Sequence, residues 1–332
     1  MKILYVAAKY DYGDPLRGFS FEHQNFYDTL LHTGQEIIYF DFLTEYQQRG
    51  KGAMNDRLLD IARVEKPELL FSVLTQEQLD IDVIRYISRH TDTTTFNWFC
   101  DDHWRFENFS SRWAPAFNWV STTAASALPK YHRIGYANVV KTQWACNHFS
   151  YRHLDVESQY DATFVGQPHG SRKNVIAALR NAGVTVGAWG HGWEAGRLEQ
   201  EEMIKVFNQS RINLNLSNAS TRTDWKRWSP WHRSQTVQQI KGRNFEIPGC
   251  GGFLLTGTAE NLNEYYMPDR EVITFEDTDD LVRKARFYLV HETERQQIAE
   301  AGYRRTLAEH TYERRFHHIF QTIGLPLSVM TY

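Results

Sequence analysis

Apolar residues along this chain fall in short unbroken runs, and the runs alternate with stretches of helical spacing. Lys2–Ala8, Ile37–Phe42, Pro67–Leu74 and Thr94–Phe99 read as strands buried on both faces, with Asn118–Ser121 and Asn138–Thr142 as two more. Between them Phe19–His32 puts Phe26, Leu30 and Leu31 on one face and stops at Gly34. Asn55–Val64 and Ile81–Ser88 repeat the helical pattern. This rhythm predicts a parallel sheet with helices on both faces.

The rhythm restarts near Tyr160. Asp161–Val165, Val184–Trp189, Ile212–Leu216, Gly252–Thr256 and Glu271–Thr274 read as strands. Arg172–Asn181, Glu199–Gln209, Val237–Phe245 and Asp280–Val290 read as helices. In Thr311–Ile323 the residues Tyr312, Phe316, Ile319, Phe320 and Ile323 form an apolar stripe. Polar and charged residues cluster over 148–160 and mark a boundary. The expected fold is α/β, with two Rossmann-like domains facing each other across a cleft. They span 1–155 and 156–332, the last helix being free to cross back to the first domain. Ligands of such sheets bind beyond the carboxyl ends of the strands, so the loops there carry the candidate chemistry.

The richest of these is Lys241–Leu255, where Lys241, Arg243 and Glu246 precede a glycine turn that includes Gly251 and runs into an apolar strand. Two cations suit a diphosphate, and a carboxylate suits a pair of sugar hydroxyls. The same residues also fit a helix C-terminus whose cations answer the dipole. In the loop after Asp161–Val165, Gly166 lets a backbone approach a ligand. Arg172 and Lys173 then open a helix, where cations oppose the dipole and a bound phosphate would give them a reason to stand. Gly190-His-Gly-Trp193 follows a strand, but its glycine spacing departs from the dinucleotide fingerprint. It leaves Gly190 and Trp193 as a seat for a base, or Trp193 as a core ring. Arg222–Arg233 interleaves Trp with Arg and Lys, a pattern for a sugar-diphosphate cleft or for single-stranded nucleic acid. Asp101, Asp102 and His103 follow Thr94–Phe99 at a carboxyl end, the place for a base or an acceptor-orienting group. Asp277-Thr-Asp279 has the spacing of a sugar-nucleotide metal ligand but begins a helix, so no metal and no other cofactor is expected.

Composition narrows the field. A formal charge of −3 gives no support to general nucleic-acid or membrane-surface binding. The 3 cysteines lack metal or disulfide spacing. No apolar run matches a spanning helix or a signal peptide, so the expectation is a cytoplasmic protein without integral membrane association.

Phe164-Val-Gly166, Gly190-His-Gly-Trp193, Arg243–Leu255, the helix ending at Gly302, and His310–Arg315 together resemble the CgeB-like (spore maturation protein) branch of the GT-B glycosyltransferases, in the glycosyl transferases group 1 superfamily. The resemblance covers Asp161 to Ile323; the first half matches only in plan and in Trp98…Asp101-Asp102. It implies sugar transfer from a nucleotide-sugar donor to a hydroxyl acceptor (glycan, lipid, protein, small molecule or nucleic acid), without a metal and with retention. It places Glu246 on the donor ribose, Gly166 with Arg172 or Lys173 on the diphosphate, and Asp102 or His103 near the acceptor. One position departs: the family's paired glutamates lie eight apart, and Gln238 stands where the first would be. That amide motivates an alternative, a nucleotide-sugar binding module without turnover. A sugar-nucleotide epimerase of the same fold would need cleft carboxylates with a His that the sequence does not place.

Overall fold

The computed structural model describes residues 1–218 and 238–325. The chain divides into two compact units. The first comprises Met1–Gln143 together with the helix Tyr312–Thr322, and the second comprises Trp144–Thr311. The chain therefore changes unit at Gln143, upstream of the break expected at 155/156.

The first unit is built on six parallel strands: β1 (Lys2–Val6), β2 (Glu36–Phe40), β3 (Leu69–Ser72), β4 (Thr94–Phe99), β5 (Trp119–Thr122) and β6 (Val139–Lys141). Their order is β2-β1-β3-β4-β5-β6. Ile3, Leu4, Tyr5 and Val6 are all fully buried, as are Leu69, Leu70 and Phe71, because helices cover both faces of the sheet. On one face the stripe foreseen in the last helix meets the sheet. Phe316 lies 5.6 Å from both Phe26 and Phe71 and 6.4 Å from Trp98, ring centre to ring centre. Arg315 Nε donates to the Gln143 carbonyl at 3.3 Å, tying this helix to the end of the first run of chain.

The second unit has five parallel strands: β7 (Tyr160–Val165), β8 (Val186–Trp189), β9 (Ser210–Asn215), β10 (Leu254–Gly257) and β11 (Ile273–Phe275). Their order is β11-β10-β9-β7-β8. From β7 the chain moves first to β8 on one side and then to β9 on the other. The carboxyl ends of β7 and β9 thus flank a topological switch point, where open α/β sheets bind ligands. The Cys146 N–H donates to the His310 carbonyl at 2.9 Å, so the two ends of this unit are joined as well.

Most elements stand within a residue or two of their sequence positions, and β4 and the helix Arg172–Asn181 coincide with them. Two helices depart further: the one expected at Asn55–Val64 already begins at Phe42, with a kink at Gly50, and the one expected at 237–245 is displaced. Gln239 to Lys241 are not helical, and the helix runs instead over Arg243–Gly249. Glu246 accordingly lies in the first turn of a helix rather than at the end of one. The helix begins only after Gly242, whose carbonyl accepts the Phe245 and Glu246 N–H groups at 2.9 and 3.0 Å. Gly251, at φ 74°, supplies the left-handed stop. The Trp-rich stretch Arg222–Arg233 and the start of the expected helix at Val237 lie outside the described residues.

Candidate functional site

The second unit gathers several predicted residues at its switch point. Buried side-chain amides fix the frame. Asn215, at the end of β9, donates to Asn244 Oδ1 at 3.0 Å and to Thr256 Oγ1 at 2.9 Å. Asn244 donates to the same Thr256 hydroxyl at 3.1 Å, and its Oδ1 also accepts the Lys241 N–H at 2.9 Å. This network anchors the first turn of Arg243–Gly249 to β9 and β10 and so sets where Arg243 and Glu246 point.

Arg243 lies beside the end of β7, where its Nε donates to the Val165 carbonyl at 3.3 Å. Its Nη1 pairs with Glu246 Oε2. Glu246 is fully buried, and its other oxygen, Oε1, accepts the Tyr151 hydroxyl at 3.0 Å. The Arg243 guanidinium and the Tyr151 phenol therefore supply partners to both oxygens of a carboxyl group removed from water. Arg243 retains 25% of its side-chain exposure and carries the positive charge of the cluster to the surface.

Gly166 and Gly190 press together at the ends of β7 and β8. A Cβ on Gly190 would come within 2.5 Å of the Gly166 carbonyl oxygen, and Gly190 has φ 138°. Trp193 Nε1 donates to that same carbonyl at 2.7 Å. The indole thus latches one loop to the other and packs edge-on to Phe164, 6.2 Å between ring centres. Gly190→Ala should cost about 1–3 kcal/mol through overpacking, with backbone strain in addition. Thermal unfolding of the variant measures it.

Arg172, read from sequence as a phosphate ligand, is buried and turned inward. Its guanidinium donates to the carbonyls of Gln167 at 2.9 Å, Leu216 at 2.8 Å and Asn218 at 3.2 Å. Burial lowers its pKa to about 10, which leaves it charged at neutral pH. Lys173, next to it, is exposed. Gln238 is exposed beside Asn218 and, with Arg172, lines a cavity of about 150 Å³ that Thr258 and Asp277 also border. Gly251 stands at the far end of the Arg243–Gly249 helix, where a Cβ would lie 3.0 Å from His153 Nδ1. Arg243, Glu246, Gly166, Gly190 and Trp193 are therefore brought together around the switch point, whereas Gly251 serves the turn. Lys241 flanks the helix start.

In the first unit Asp101, Asp102 and His103 differ sharply in setting. The Asp101 carbonyl accepts from Trp104 N at 3.1 Å and Arg105 N at 2.9 Å, starting the turn Asp102–Arg105. Asp102 is 1% exposed and accepts the Tyr131 hydroxyl at 2.7 Å. Burial raises its pKa above the ordinary 3.8, against the pull of hydrogen bonds from Ser110, Thr122 and Tyr131. It fastens the turn to the helix Leu128–Arg133. His103 is half-buried on the same turn. The structure adds Glu22, which sequence reasoning did not single out. Burial raises its carboxyl too, with Asp11 and Asp101 adding to the effect.

A group whose pKa is raised by folding stabilises the fold below its ordinary value and loses that contribution as pH rises through the raised value. Tyr131→Phe removes a hydrogen bond that opposes the rise in Asp102 and leaves a buried carboxyl oxygen without that donor. The expected cost is about 1–3 kcal/mol. The loss should be larger at pH 7 than at pH 4, as denaturant unfolding at the two values would show.

Comparison with known proteins adds a family-model match, a distant relative and a shared fold. Residues 172–321 match the model of the glycosyl transferase-like family. The spore protein CgeB of Bacillus subtilis (strain 168) is 23% identical over 219 residues, a match spanning 58% of this chain and 64% of CgeB. The chain is thus similar to CgeB, and to the glycosyl transferase-like family over its second half. Its fold agrees along nearly its whole length with solved structures. Anabaena Alr3699/HepE, in complex with UDP and glucose, superposes with TM-score 0.65 at 12% identity, covering 98% of this chain and 99% of that one. Sucrose-phosphate synthase from Thermosynechococcus elongatus gives 0.64 at 10% identity, covering 97% of each. At such identities the likeness establishes the GT-B fold and nothing beyond it. The chain spans just under two thirds of the curated relative it matches. No helix among the described residues is long and apolar enough to cross a membrane.

Proposed function

We propose that this CgeB-like chain transfers a sugar from a nucleoside-diphosphate donor to a hydroxyl acceptor, with the donor held by the second unit. The observation that carries the reading is the Arg243–Glu246 pair at the β7 switch point. It sets a guanidinium for phosphate oxygens beside a carboxylate for a ribose diol. Negative charge grows on the leaving diphosphate as the glycosidic bond breaks. Arg243, with Lys241 two positions before it, is the group to stabilise it, a task preorganised cations perform without a metal. In this reading transfer proceeds with retention. An inverting reaction would instead take its base from Asp101, Asp102 or His103, of which Asp102 accepts the Tyr131 hydroxyl. The complex of Alr3699/HepE with UDP and glucose makes uridine donors the first to try.

The experiment is a thermal-shift screen against UDP-, GDP-, CDP- and ADP-sugars. A donor at about 100 times its dissociation constant should stabilise the protein by roughly 2.7 kcal/mol. No shift with any of the four counts against the reading. Gln238 favours one alternative, a module that binds a nucleotide sugar without turning it over. An amide can hydrogen-bond sugar hydroxyls but carries no charge. Binding without release of nucleoside diphosphate in the presence of varied acceptors would select that alternative.

A further inference from the structure

We propose that Tyr151 is a positioning residue for ribose recognition, holding one oxygen of Glu246 in the core so that the other is presented to the ligand. This inference rests on the donor-binding reading above. Tyr151 lies in the stretch 148–160 whose polar composition reads as a domain boundary, yet it is 1% exposed. A turn sets its backbone, Tyr151 N donating to the Asn147 carbonyl at 2.8 Å. Its hydroxyl reaches Glu246 Oε1 at 3.0 Å, and Arg243 takes Oε2.

The terminal torsion of a glutamate side chain is broad and nearly two-fold, so packing alone does not fix which way its oxygens face. A carboxylate beside a lone guanidinium tends to turn both oxygens to it in a bidentate pair. A second donor on the opposite side prevents this. Tyr151 is that donor, and burial followed by the neighbouring Glu246 charge raises its pKa, so its proton stays in place. Of the three side chains only Arg243 reaches solvent, Tyr151 and Glu246 being buried. A ligand therefore meets the carboxylate through Oε2 once the guanidinium has shifted. A diphosphate at the end of β7 competes for that same guanidinium, so diphosphate binding and exposure of Oε2 to a ribose diol go together.

The test compares binding of UDP, GDP, CDP and ADP with their 2′-deoxy counterparts by calorimetric titration of the full chain. Wild-type protein should prefer the ribonucleotide by roughly 10-fold or more, the size expected for a hydrogen bond to a charged group. In Tyr151→Phe that preference should fall to within about 3-fold of unity while affinity for the deoxynucleotide stays nearly unchanged. A merely structural role would weaken both ligands alike. Glu246→Gln should lose the preference too, and adding Tyr151→Phe to it should change nothing further, since Tyr151 acts only through Glu246. A folded Tyr151→Phe that keeps the full preference overturns the assignment. If that variant does not fold, a retained preference in Glu246→Gln overturns it equally. Failure of wild-type protein to bind any of the four nucleotides instead overturns the donor-binding reading, and this inference with it.

Discussion

Arg243→Ala is expected to reduce sugar-transfer turnover by at least ~10²-fold, the usual loss when one preorganised charge-stabilising donor is removed. The substitution does two separate things. It takes away the cation nearest the end of β7, where Arg243 Nε meets the Val165 carbonyl. It also leaves Glu246, which has no solvent exposure, with Tyr151 as its remaining side-chain partner among the contacts described above. Breaking a buried ion pair from one side typically costs about 3–5 kcal/mol. Here the lower end applies, because Arg243 keeps 25% of its side-chain exposure and solvent replaces part of what it supplied. Turnover must therefore be measured per folded molecule and well below the unfolding temperature. Arg243→Lys separates the two effects. It restores charge but not the fork that spans Val165 and Glu246, so it should recover stability more fully than rate. Near-normal turnover in folded Arg243→Ala would remove Arg243 from the reaction.

The second large effect concerns the first unit. Phe316→Ala should destabilise it by about 3–5 kcal/mol, the range for deleting a buried phenylalanine. Phe316 is fully buried, stacks on Tyr312 at 5.9 Å and on Phe320 at 6.0 Å, and meets Phe26, Phe71 and Trp98 edge-on. The cavity has little scope to collapse, since its walls are rings held by the sheet. The unfolding temperature should fall by roughly 6–20 °C for a unit of this size. Nucleotide binding, assigned to the second unit, should survive at low temperature. A fall of less than about 2 °C, against the scale just cited, would show that the helix is not packed as described.

The strand and helix rhythm was legible because strands such as Lys2–Val6 and Leu69–Ser72 are short, mostly apolar runs and helices such as Ile81–His90 are amphipathic. The stripe Tyr312–Phe316–Ile319–Phe320 announced a packed face in the same way, and all four residues are fully buried. Local spacing was misleading at 237–245. There the apolar period crosses Gly242, and the helix that forms instead, Arg243–Gly249, contains Pro248. The site was legible as far as residue type. Arg243 and Glu246 were found from charge beside a glycine turn. What sequence does not carry is the direction of a side chain. Arg172 and Trp193 both spend their donors on backbone carbonyls of neighbouring loops, and Asp102 turns to Tyr131. Tyr151 was hidden for another reason. Its partner is 95 positions away, and the only local sign was an aromatic residue inside a polar stretch.

The helix Tyr312–Thr322 lies in the first unit although the whole of the second precedes it in the chain. Translation delivers an N-terminal domain first, and such domains commonly fold before the rest emerges. Here the ribosome must finish the second unit before the aromatic face of β1, β3 and β4 receives its cover. Phe26, Phe71 and Trp98 stay open to solvent for that interval, so the second unit, contiguous in sequence, can mature earlier than the first.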